Sequence, residues 1–116
     1  MCIRDSAGSL AGAVAVVGRR VVAMGRVAGD GGKFFYIQDV VVLPEFQGQG
    51  IGRRVVCRLV DLIDDIAPGS PFIGVFATPE AVPLYREIGL GQAFGGLTGM
   101  AVVREPDTSH ICPETA

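Results

Sequence analysis

Two hydrophobic periods divide the chain. Ala11 to Val17 is valine-rich, Gly18-Arg19-Arg20 is turn-like, and Val21 to Val27 is apolar again, which predicts a β-hairpin. After the breaker cluster Gly29-Asp30-Gly31-Gly32, the aromatic and β-branched run Phe34 to Leu43 predicts a third strand ending at Pro44. The connections are too short for helical crossovers, so these strands form an antiparallel meander. From Ile51 the spacing changes. Ile51, Val55, Leu59, Leu62, Ile63 and Ile66 follow the helical period up to Pro68-Gly69.

Phe72 to Phe76 reads as a strand that reaches the sheet by a parallel crossover. Thr78 is placed to cap a second helix, with Pro79 at its first position and Gly89 at its stop. Gln92 to Phe94 and Met100 to Arg104 read as a closing hairpin, and residues 106–116 as a loose polar tail. Met1 to Ser6 continues no periodic pattern, resembles an adaptor-derived start, and is read as a non-native leader before a core at 7–105. The predicted fold class is α+β, with a mixed, mainly antiparallel sheet flanked by helices.

Composition narrows the picture. The 116 residues support one domain, and 49% apolar with 19% charged residues excludes intrinsic disorder. A net charge of -2 offers no uniform field for nucleic acid or an anionic membrane. No run approaches the roughly 18 apolar residues of a membrane span. Ala7 to Val17 is read as strand rather than signal peptide, because Arg19 and Arg20 follow without a cleavage site. Cys2, Cys57 and Cys112 form neither a disulfide framework nor a zinc pattern, so a reducing, cytoplasmic setting is expected.

The candidate chemistry centres on Gln47-Gly48-Gln49-Gly50-Ile51-Gly52-Arg53, between a strand and a helix. Glycines at alternate positions strip side chains from a loop whose amides can cradle a phosphate at the helix N-terminus. Arg53 and Arg54 stand in the first helical turn, while Asp61, Asp64 and Asp65 stand toward the end. That order opposes the helix dipole unless an anion binds between them; a solvated charged surface is the plainer reading. A dinucleotide fingerprint needs glycine where Arg53 stands, and a Walker loop needs a lysine that is absent here.

The segment resembles the GNAT acetyltransferase signature Q/R-x-x-G-x-G/A, with Gln47, Gly50 and Gly52 at its defined positions after Val42-Leu43-Pro44. Pro83-Leu84-Tyr85-Arg86-Glu87-Ile88-Gly89-Leu90 is similar to the family's hydrophobic-Tyr-x-x-x-Gly-Phe segment, with Leu90 in place of the usual Phe. The resemblance implies that acetyl-CoA is the co-substrate. Its pyrophosphate would meet amides of Gln47, Gly48, Gln49, Gly50, Ile51, Gly52 and Arg53, and its pantetheine arm the backbone of Val42 and Leu43. It implies an amine acceptor, attack within a ternary complex, Tyr85 as acid to the leaving thiolate, and no metal. It also implies that a strand and two helices precede the segment present here.

Asp39 stands among Ile37, Val40, Val41 and Val42, where a buried carboxylate is costly unless paired or functional. Two readings stay open: a catalytic base of raised pKa, or a partner of a nearby arginine or loop amides. Tyr85 likewise reads as acid or as a packed amphipathic residue. Without a preceding strand, Ala11 to Val17 is expected to present an open edge suited to homodimer pairing. The rival function is a non-catalytic acyl-CoA-binding or interaction module.

Overall fold

The valine- and alanine-rich strands pair in sequence order. In the computed structural model, which describes residues 1–5, 10–67 and 69–91, the sheet order is β1-β2-β3-β4-β5. The strands are β1 (Cys2–Asp5), β2 (Ala11–Val17), β3 (Arg20–Gly29), β4 (Phe34–Val42) and β5 (Phe72–Val75). The first four are antiparallel, and β4 pairs with β5 in parallel. Helix α1 (Ile51–Ile66) makes the crossover between them, and α2 (Val82–Glu87) follows β5.

Small side chains decide how the helix sits. Ala13 lies opposite Gly25, and Ala15 opposite Ala23, so one sheet face has little relief where Val55, Leu59 and Ile63 of α1 bury. Phe35 and Ile37 complete this core, with Tyr85 reaching it from α2. The β2–β3 turn needs only Gly18, at φ +61, and Arg19. Asp30 closes the β3–β4 connection by accepting from the backbone N–H groups of Gly32, Lys33 and Phe34. Those bonds hold its carboxyl below the usual aspartate range.

Three expectations need correction. The segment read as a leader outside the domain supplies β1, with Ile3 opposite Ala15 and Asp5 opposite Ala13. Asp5 is held to α1 by a two-point pair with Arg58 at 2.9 Å. Consequently β2 is an inner strand, paired on both sides, and its edge is not open for a homodimer contact. Helix α2 starts at Val82 rather than after Thr78. Residues 79–81 form a turn in which the Thr78 carbonyl accepts from Ala81 and Val82, and Pro83, not Pro79, occupies the first helical turn. The closing hairpin and the tail lie outside the described residues.

Candidate functional site

The site begins with a register fault. Arg26 pairs with Gln38 and Met24 with Val41, so Gly25 alone faces both Asp39 and Val40. The extra residue is a β-bulge with Asp39 at φ 55. It turns Gln38 and Asp39 outward in succession and returns Val40 and Val42 toward the core. Pairing with β5 ends at Ile37 opposite Val75, and β4 runs on to Val42 without it. A cavity of about 360 Å³ opens there between residues 37–40 and residues 75–78, with Ala81 and Tyr85 on the second wall. A second, of about 450 Å³, lies between the loop and helix start at 46–53 and Leu84, Glu80, Ala81 and Thr78. Ala81 and Thr78 line both, so the two cavities adjoin at these residues and are together called the groove.

Gln47 holds the loop's shape through its amide, which donates to the Val42 carbonyl at 3.0 Å. Gly48 and Gly50 lie at φ +77 and +78, which favours glycine. Gly50 is the N-cap of α1 and supplies no side-chain cap, so the first helical N–H groups are left for a ligand or water. Gly52 differs: its φ is not positive, and an added Cβ would meet Val42 at an ordinary 3.4 Å. From the far side, Arg20 pairs with Glu45 at 3.3 Å and lies over the Phe46 ring, bracing the 3-10 turn Pro44–Phe46 that leads into the loop. Leu43 N–H donates to the Val22 carbonyl. The Leu43 carbonyl accepts from the Phe46 N–H, so the Val42 carbonyl and both backbone groups of Leu43 are engaged within the protein. The part of β4 that faces the gap is the stretch after Ile37.

Tyr85 is 7% exposed, and burial raises its hydroxyl above the usual tyrosine range near 10. Gly89, at φ +101, ends α2: its N–H bonds the Arg86 carbonyl and Leu90 N–H bonds the Tyr85 carbonyl, the double closure of a Schellman motif. The same segment that carries the tyrosine thus fixes its helix end. Arg53 is hydrogen-bonded to Glu87 of α2. Gln49, Arg54 and Ile51 flank these groups, Ile51 buried and the other two exposed.

Asp39 corrects the sequence reading. Its side chain is 61% exposed and sits 3.1 Å from Arg26 Nε, so the burial expected from its apolar sequence neighbours is not found, and of the two readings the arginine partner is the one observed. The bulge is the reason, since it faces the carboxylate away from the apolar residues around it in sequence. Asp39 still lines the same cavity as Tyr85. Sequence reasoning passed over Gly25, Thr78, Ala81 and Glu87. Only Gly25 carried a signal, because an isolated glycine in a strand marks a bulge or a close approach. Among the described residues, no group of three or more His, Cys, Asp or Glu side chains is placed to hold a metal.

Residues 4–93 match the family model described as an acetyltransferase (GNAT) domain. The chain belongs to the GNAT acetyltransferase family. This GNAT domain is 40% identical over 102 residues to a rice (Oryza sativa subsp. japonica) protein named serotonin N-acetyltransferase 2, chloroplastic, covering 88% of this chain and 46% of that one. It is 37% identical over 87 residues to GCN5-related N-acetyltransferase 1, chloroplastic, of Arabidopsis thaliana, covering 75% and 43%. It thus spans about half the length of these relatives. Among solved structures, a probable acetyltransferase of meticillin-resistant Staphylococcus aureus superposes with a TM-score of 0.75 at 29% identity, covering 84% of this chain and 73% of that one. The expected α+β class and mixed, mainly antiparallel GNAT sheet are those observed. The cytoplasmic setting is overturned by the chloroplastic names of both plant relatives. The cysteine pattern spoke only to a reducing setting, and that does not single out one compartment.

Proposed function

We propose that this GNAT domain transfers an acetyl group from acetyl-CoA to an amine by direct attack, with both substrates bound together. The observation that carries the reading is the parting of β4 from β5, which opens a groove with the glycine loop at one end and Tyr85 at the other. The residues fit the co-substrate. Gly48 and Gly50 leave the loop bare, with nothing within 4 Å of where a Cβ would stand, and the uncapped start of α1 favours an anion. The amides of Gly50, Ile51, Gly52 and Arg53 would hold the diphosphate, and the unpaired stretch of β4 would take the pantetheine arm as an added strand.

Acetyl-CoA supplies an activated acyl group as a thioester. The N–C bond forms as the C–S bond breaks; the amine nitrogen loses a proton, and the sulfur gains one from Tyr85. Burial suits Tyr85 to this, since it keeps the hydroxyl protonated into the alkaline range. The carboxylate that lines this cavity with Tyr85 is Asp39, so it is the group to test as acceptor of the amine proton, directly or through water, although it is paired with Arg26. Asp39→Asn should then lower kcat with the acetyl-CoA KM nearly unchanged, and an unchanged kcat takes Asp39 out of the mechanism.

The rice relative's name makes serotonin the first acceptor to try. The test is calorimetric titration with acetyl-CoA, followed by free-thiol release with serotonin, a polyamine and a peptide N-terminus. Binding with amine-dependent thiol release supports transfer. Binding with no release from any amine favours the non-catalytic acyl-CoA module, and no binding sinks both.

A further inference from the structure

The first turn of α1 holds two cations, Arg53 and Arg54, and no acidic residue. Arg53, which lines the groove beside the glycine loop, already has an anion: its guanidinium bonds Glu87, the last residue of α2. The pair therefore joins the two elements that wall the groove. Beside Glu87, the α2 side carries Arg86 and, on the groove itself, Glu80.

We infer that Glu87 is a built-in counter-ion that competes with the phosphates of the co-substrate for Arg53, and so sets the affinity and phosphate-dependence of the groove. This rests on the groove being the acyl-CoA site. An anion at the start of α1 draws on Arg53, and to do so it must displace Glu87 or share the guanidinium with it. Both side chains are more than half exposed, at 52% and 58%. An exposed pair of this kind is weak, so it exchanges readily when a more highly charged partner arrives. This competition for Arg53 opposes binding and favours release of the CoA product.

A bracing role predicts the opposite sign. If Glu87 simply held α2 in place, its loss would loosen the groove and weaken every ligand. The experiment measures dissociation constants of the full chain for CoA and for pantetheine, which has no phosphate, in wild type, Glu87→Gln, Arg53→Gln and the double variant. Thermal melts confirm that each variant is folded. Glu87→Gln should tighten CoA binding roughly two- to five-fold, the span expected for an exposed pair. It should leave pantetheine unchanged, and the gain should shrink in high salt. In the Arg53→Gln background it should have little effect on CoA. Weakened or unchanged CoA binding, an equal change for pantetheine, or a gain that persists without Arg53 overturns the inference while leaving the groove assignment intact. Wild-type chain that binds no CoA overturns both.

Discussion

Gly25 lies so close beneath α1 that a Cβ on it would stand 2.8 Å from Leu59 Cδ1 and 3.1 Å from Val55 Cγ1. The same glycine is the single residue facing the bulge at Asp39 and Val40. One missing side chain thus lets the helix settle on the sheet at the point where β4 turns from β5. Gly25→Val should cost about 1–3 kcal/mol by overpacking and lower the melting temperature by several degrees. An unchanged melt would show that α1 yields freely there.

Gly50 and Gly52 are separable. Gly50→Val forces a branched side chain to φ +78 and should weaken CoA binding at least ten-fold, by strain in the loop rather than by collision within the protein. Gly52→Ala meets only Val42 at 3.4 Å and should leave the melting temperature near wild type. Calorimetry and thermal unfolding check the two, and equal CoA affinity in folded Gly50→Val removes the loop from the site.

Tyr85→Phe should lower kcat by about 10²–10⁴-fold with the acetyl-CoA KM nearly unchanged, because only the departing sulfur needs the proton. The sign of the pH effect follows from burial. Desolvation raises the hydroxyl's pKa, so the competent protonated form persists below it and is lost only as pH rises through that raised value. The wild-type rate should therefore fall on the alkaline side above the usual tyrosine range of about 10, and the variant should lack that limb. Loss of acetyl-CoA binding with kcat retained would make Tyr85 a packing residue.

Asp5 couples the first strand to acid stability. Its hydrogen bond with Arg58 lowers its pKa in the folded state, so the stabilisation is present above the unfolded value of about 3.9 and disappears as pH falls through the folded one. Asp5→Asn should lower the melting temperature at neutral pH and flatten its decline as pH falls below the unfolded value of about 3.9. Parallel curves for variant and wild type would show that the pair with Arg58 carries no net stability.

Local signals were read correctly from the sequence where the physics is local. The 3.6-residue period of Ile51 through Ile66 depends on one face of one helix, and it yields the observed α1. Gly48 and Gly50 need only their own φ angles, and Gly89 only its own helix end. The placement of Asp39 was decided by tertiary structure, because whether a strand residue faces core or solvent depends on what pairs across from it. Here Gly25 faces two residues and reverses the alternation. Cys2–Asp5 has no period of its own and becomes a strand only because β2 offers an edge and Arg58 an anchor. Arg53 and Glu87 are 34 residues apart, so their meeting follows from the crossover that brings the start of α1 beside the end of α2. Period and turn chemistry are properties of a few neighbouring residues, whereas partners are properties of the packed sheet, and that difference separates what was legible from what was not.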